Sequence, residues 1–304
     1  MVSSFALWAQ GETFHLYFGA DAGTTGVGGE LIAAIGSHFA VRAGVTVTPR
    51  LYTDHELDVQ LNGQPVEATY DASGNRNDHM GRVMEFMQSF TGLTVKEHVN
   101  AHSTPSMLNG RVIADWYPLC QRSWHVSAGC FFGPAVVARF SNVNADMDAL
   151  TAIGIYNGIY DRAIAGEPVI SFGSTTISFP SEYTNHLANY GQLTIASGTM
   201  KDGSYLDFGP GPDGMVRAQV RVNTIRPYLG CGYEHGFGQQ KRTTLSLDLG
   251  CLFWGGKPRI MTGNGVDLAR DVESLTGDLK DWVDTYKSLS VYPVLEIRIT
   301  RRLF

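Results

Sequence analysis

From residue 13 onward, apolar and polar residues alternate with a period of two in eight separate runs, the signature of strands with one apolar face. In TFHLYFGADA (13–22), Phe14, Leu16 and Phe18 oppose His15, Tyr17 and Asp21. In VGGELIAAI (27–35), Leu31, Ala33 and Ile35 oppose Glu30. The third run, 38–50, sets Phe39, Val41, Ala43, Val45 and Val47 against Arg42, Thr46 and Thr48. The fourth, 108–117, sets Val112, Ala114 and Trp116 against Arg111 and Asp115. The fifth, 123–133, sets Trp124, Val126, Ala128, Cys130 and Phe132 against His125, Ser127 and Gly129. In the sixth, 215–234, Val216, Ala218, Val220 and Val222 oppose Arg217, Gln219, Arg221 and Asn223, and the apolar parity then shifts to Leu229, Cys231 and Tyr233. Pro227 lies at that shift, so a β-bulge is expected there. The seventh, 242–254, sets Leu245, Leu247, Leu249, Cys251 and Phe253 against Ser246, Asp248 and Gly250. The eighth, VYPVLEIRITRRLF (291–304), sets Leu295, Ile297 and Ile299 against Glu296, Arg298 and Thr300.

Connection lengths alternate. Short turns join runs two to three, four to five and six to seven, whereas about 51–107, 134–214 and 255–289 are long. Outer-membrane barrels have short periplasmic turns and long outer loops; with the C-terminus in the periplasm every long segment falls outside, and an even strand count puts the N-terminus in the periplasm too. The tight hairpin between the first two runs is the one short outer connection. The fold class this predicts is all-β: an eight-stranded antiparallel transmembrane β-barrel with long outer loops containing a short amphipathic helix. That helix is expected at 267–289, where Leu268, Val272, Leu275, Leu279, Trp282, Val283, Tyr286 and Leu289 recur at helical spacing. A shorter helical turn is expected at 80–90, and TTISF (175–179) and QLTIAS (192–197) are β-prone. Residues 1–10 suggest the remnant of a secretory signal, leaving 11–304 as one barrel domain.

Composition narrows the partners. The chain has 304 residues, 35 of them Gly, with 13 Tyr and 15 Phe, which suits strands and tight turns. The net charge of -6 is dispersed, so there is no basic footprint for nucleic acid. No run of about 18 apolar residues exists for a membrane helix, but a barrel needs apolar residues at alternate positions alone. Cys120, Cys130, Cys231 and Cys251 lack zinc-site spacing, and most sit where a small hydrophobe would serve.

Alternation alone does not say which face is inside. A soluble barrel or sandwich would bury the aliphatic face. The strand pattern, the loop asymmetry and the glycine-rich, charged opposite faces favour charges inside, because eight strands leave room for little more than side chains. Four acids (Glu30, Asp115, Asp248, Glu296) then meet five arginines (Arg42, Arg111, Arg217, Arg221, Arg298), a nearly balanced set. Matching matters, since a buried unpaired charge costs several kcal/mol. Trp116, Trp124 and Tyr233 at inner strand ends, and Phe253 and Trp254 at an outer end, suit interfacial aromatic girdles.

The run NTIRPYLGCGYEHGFGQQKRTTLSLDLGCLFWGGKPRI (223–260), then DLARDVESLTGDLKDW and YPVLEIRITRRLF, resembles a family of Gram-negative outer-membrane barrels, small, eight-stranded and OmpA/OmpW-like. AGTTGVGGEL (22–31) and DWYPL (115–119) resemble its segments too. The resemblance covers the barrel strands and not 51–107 or 134–214. It implies fold and outer-membrane location and brings no catalytic motif. It also implies that Phe304 serves as a terminal assembly signal read by the barrel-assembly machinery. Phe304 is nevertheless out of phase with Leu295, Ile297 and Ile299, and Arg301 and Arg302 intervene.

Candidate chemistry is sparse. His125 and Ser127 form H-x-S on one strand face, a pattern that lipid-modifying barrels use at sites open to lipid. Here both share the polar parity, which makes a lumen filling the stronger reading. His98 and His102 lack a third metal ligand, and GPGPDG (209–214) is a turn rather than a phosphate cradle. No catalytic, cofactor or metal residue is therefore assigned. The leading expectation is a structural or interaction protein, held in outer-membrane lipid, whose loops meet an envelope partner. A narrow channel or carrier for a small solute comes second, and a lipid-modifying enzyme third.

Overall fold

The computed structural model describes residues 14–303, apart from 65, 120–122, 173–174, 212, 239–241 and 276–277. Eight strands close into an antiparallel barrel in sequence order. They are β1 (Phe14–Gly23), β2 (Gly26–Ile35), β3 (Phe39–Val47), β4 (Leu108–Trp116), β5 (Trp124–Phe132), β6 (Ile225–Phe237), β7 (Thr243–Phe253) and β8 (Val291–Arg302). β8 closes the wall against β1, with Asp21 opposite Arg298 and Tyr17 opposite Arg302. The hairpin between β1 and β2 turns on Gly26, whose φ of 117° and approach to the Val47 carbonyl leave no place for a Cβ.

The wall is inside out relative to a soluble barrel. Phe18, Leu31, Val45, Val112, Leu229, Leu247, Leu249, Ile297 and Ile299 lie exposed on its outer face, while Glu30, Arg42, Arg111, Asp115, Asp248, Glu296 and Arg298 are buried within. The thirteen residues of β6, rising about 3.3 Å each at a tilt of about 40°, span about 30 Å, the thickness of a bilayer's hydrocarbon core. Trp116, Trp124, Tyr233 and Phe237 ring the end with the short turns, and Phe132 and Phe253 the other. No helix among the described residues is long and apolar enough to cross a membrane. This is a transmembrane β-barrel of the outer-membrane type.

The long connections do not stay separate loops. They fold together on the outer end of the barrel into a body with its own core. A five-stranded sheet runs, in order, through Arg259–Thr262, Arg217–Arg221, Val136–Asn142, His98–Pro105 and Thr53–Asp58. Four α-helices among the described residues accompany it: α1 (His79–Thr91), α2 (Met147–Ile164), α3 (Ser181–Tyr190) and α4 (Asp278–Ser288). Asp78 caps α1 by accepting from the Gly81 amide, and Gly92 ends it in the left-handed region. α2 buries Ala149, Leu150, Ala152, Ile153, Tyr156 and Ile159, and α4 sets Trp282 against Phe140 of the sheet, ring centroids 5.2 Å apart.

Two expectations fail in the outer segments. The sixth run is two strands rather than one bulged strand: Arg217–Arg221 pairs within the outer sheet, and β6 starts afresh at Ile225. The parity shift comes from that break, and Pro227 itself pairs regularly with Cys130. The helix expected over 267–289 begins at Asp278, because Val272–Leu275 forms a strand against Ala196–Met200.

Candidate functional site

The lumen is the site. Several interior positions, among them Gly44, Gly129, Gly232 and Gly250, are glycines that sit beside large side chains. The glycines make room: a Cβ on Gly250 would lie 2.5 Å from the Tyr228 ring, and one on Gly232 would lie 2.4 Å from the His125 ring. Three guanidiniums organise the space. Arg42 pairs with Asp115 at 2.8 Å and lies 3.5 Å from Asp248. Arg111 donates to Asp21 and Glu30, each at 2.7 Å, and also to Glu296. Arg298 donates to Glu30 at 3.0 Å and Glu234 at 3.2 Å, and lies 3.3 Å from Asp248.

The remaining polar groups close the network. His125 Nε2 lies 2.8 Å from Asp248, the Ser127 hydroxyl donates to Asp115 at 2.6 Å, and the Tyr117 hydroxyl donates to Glu234 at 2.9 Å. Every one of the eight barrel strands contributes a member. Asp21, Glu30 and Glu296 hold oxygens within 4.8 Å of one another, a spacing that would suit a cation. Arg111 bonds to all three and supplies that charge itself.

Beside this network Ile113, Phe131, Tyr228, Leu252 and Val294 form an apolar filling continuous with the core of the outer body. Arg226 ties the junction. It is fully buried and donates to the Asn223 carbonyl (2.8 Å), the Asn109 side chain (2.8 Å) and the Pro134 carbonyl (2.7 Å). Its three acceptors come from three separate crossings between barrel and body.

Placement of the expected residues divides cleanly. Glu30, Arg42, Arg111, Asp115, Asp248, Glu296 and Arg298 meet in one network. Arg217 and Arg221 do not: both lie exposed on the outer sheet, and Arg217 pairs with Asp213 at 2.6 Å. They are corrected out of the lumen set because their strand belongs to the outer sheet rather than the barrel. Trp254 is also corrected. It follows β7 on inward parity, is buried, and stacks on Tyr292 with centroids 5.4 Å apart, so it is no girdle residue. Trp116, Trp124, Tyr233 and Phe253 are exposed on the outer wall, with Trp124 and Tyr233 edge to face at 5.1 Å.

Cys130, Cys231 and Cys251 are free, on strands of the wall. Cys120, residues 1–10 and Phe304 lie outside the described residues. His125 and Ser127 are buried inside the barrel, away from the lipid-facing surface. His98 and His102 stand on an outer strand, where His98 meets Asp58 at 2.8 Å and His102 meets Asp54 at 2.6 Å.

Asp21, Glu234 and Arg226 belong to the site as well: the sequence puts Asp21 on the polar face of its run, but none of the three is in the expected set of lumen charges. The signal existed: Asp21 shares parity with Tyr17 and Gly19, and once β6 starts at Ile225, Arg226, Tyr228 and Glu234 all fall inward. The charge count changes accordingly. Within the ion-paired network six carboxylates face three guanidiniums and His125, an acidic excess, while Arg226 stands apart at the junction on neutral acceptors.

No family model matches the chain, and no curated protein matches it. Among solved structures it is similar to Acinetobacter baumannii CarO2, with 13% identity, 96% of this chain and 100% of that one covered, and a TM-score of 0.41. Similar too is CarO of the same organism, at 14% identity, 94% and 97% coverage and a TM-score of 0.39. A major outer membrane protein of Thermus thermophilus matches at 12% identity, 95% and 99% coverage and a TM-score of 0.31.

Proposed function

We propose that the chain is an outer-membrane anchor: a barrel with a sealed, charge-filled lumen that displays a folded body for interaction outside the cell. The observation that carries this is the lumen network, in which side chains from all eight strands bridge the interior and leave its centre occupied. A wall braced in this way resists the breathing that passage of a solute needs. The exposed aliphatic face meets lipid, β8 is the strand offered to the assembly machinery, and the outer body meets an envelope partner.

His125 and Ser127 fit this role better than catalysis. Each is engaged with its own acid, Asp248 and Asp115, inside a packed interior. A second reading has one observation behind it: the excess of carboxylates would favour a narrow path for cations. Release of entrapped solutes from liposomes carrying the refolded protein separates the two. The anchor predicts that sucrose, amino acids and alkali cations all leak at the rate of protein-free vesicles. Selective release of cations would replace the anchor with the cation path.

A further inference from the structure

The outer body holds a cavity of about 280 Å³ between α1, α2 and α3. Its walls follow from helix periodicity. α1 supplies Arg82, Val83 and Phe86, and α3 supplies Tyr183, His186, Leu187 and Tyr190, positions three or four apart that share one face. Tyr156 of α2 forms the floor, with its hydroxyl already donated to the Gly191 carbonyl at 3.0 Å, so it offers a ring and no free donor. Phe179 lies 6.4 Å from Phe86 and 6.5 Å from Tyr183, centroid to centroid.

Protein interiors leave few voids larger than a water. An apolar cavity of about 150 Å³ takes a benzene ring, so this one has room for a ring with a short substituent. The aromatic lining favours another ring, because offset and edge-to-face contacts form at these centroid spacings. Charge selects the substituent. Arg82 and His186 are exposed at the cavity, no Asp or Glu is among its described lining residues, and Arg82 makes no ion pair among the described residues. A guanidinium beside an apolar slot suits a carboxylate, which it can hold through two parallel bonds.

We propose that this cavity is a binding site for a small monocyclic aromatic carboxylate, taken from the external medium. The ring would stand among Phe86, Phe179 and Tyr183 and the carboxylate would reach Arg82. This site is independent of the lumen and does not rest on the anchor reading.

The test is ligand-observed saturation-transfer NMR on the full-length protein in detergent micelles, with phenylacetate, cyclohexylacetate and benzylamine as probes. Arg82→Gln removes the charge at an exposed position, and His186→Trp, also exposed, fills the mouth. Both variants should keep the native unfolding midpoint. Expected is saturable transfer to phenylacetate that exceeds both other probes, weakens at least tenfold in Arg82→Gln, the loss of one charged hydrogen bond or more, and vanishes in His186→Trp. Because the micelle is the same throughout, the filled variant reports partition into detergent. Any other pattern in folded protein overturns the proposal, including equal transfer to benzylamine or transfer that survives in both variants.

Discussion

Replacing Arg111 with Met should be among the most damaging single changes in the barrel. The guanidinium is 1% exposed at its side chain and holds Asp21, Glu30 and Glu296 together. Each charged hydrogen bond contributes about 1.5–3 kcal/mol, so three such bonds would sum to more than the site can lose, because the carboxylates and Arg42 partly rearrange. Removing one partner of a buried ion cluster costs about 3–5 kcal/mol, and here it leaves three carboxylates within 4.8 Å of one another. With an m-value of about 2–3 kcal/mol/M, the urea midpoint should fall by roughly 1–2.5 M. The assay is reversible urea unfolding in lipid vesicles, followed by Trp fluorescence. A partial restoration on adding Glu296→Gln to Arg111→Met would assign the loss to uncompensated charge rather than to lost packing. A midpoint within 0.3 M of the native one, about 0.6–0.9 kcal/mol at that slope, would refute the idea that this cluster braces the wall.

Other expectations follow from single features. Gly250→Ala puts a Cβ 2.5 Å from the Tyr228 ring, which Phe131 confines at 5.5 Å. Overpacking of this kind costs about 1–3 kcal/mol, and Tyr228→Ala should relieve it in the same urea assay. Arg226→Met should leave the barrel intact while loosening its junction with the outer body. Amide exchange at 108–110, 133–136 and 222–226 should quicken, with the centre of the barrel unchanged. In the outer body, burial works against ionisation of Asp146, but the Lys96 ammonium at 2.5 Å and two donors from Asn100 outweigh it and hold the carboxyl below its ordinary value. A depressed carboxyl stabilises the fold above the unfolded pKa, and that contribution disappears as pH falls through the folded one. Limited proteolysis of the outer body should therefore accelerate below about pH 4, and in Asp146→Asn the body should be as cleavable at neutral pH as the native one is in acid.

The barrel was legible because a membrane wall repeats one instruction. Leu295, Ile297 and Ile299 against Glu296 and Arg298 is the same pattern as Val41, Ala43 and Val45 against Arg42, and long and short connections fix where each begins. The charged interior followed from the same parity. What parity does not carry is which sheet a strand joins. Arg217–Arg221 alternates as well as any barrel strand, but its partners Val136–Asn142 and Arg259–Thr262 lie in segments read as loops. That one misplacement put two arginines in the lumen and concealed Arg226. α2 was missed for a different reason: MDALTAIGIYNGIYDRAI carries two glycines and buries much of its surface, which blurs a helical stripe. The aromatic cavity assembles Phe86, Tyr156 and Tyr183 from three helices, and no local pattern announces such a meeting.

An anchor of this kind requires a lumen closed by its own side chains. Single-channel recording of the native protein in planar bilayers tests it without any mutation. A sealed lumen should leave the membrane silent, with no stable conductance level at either polarity, whereas discrete, reproducible openings in molar potassium chloride would show that it is open.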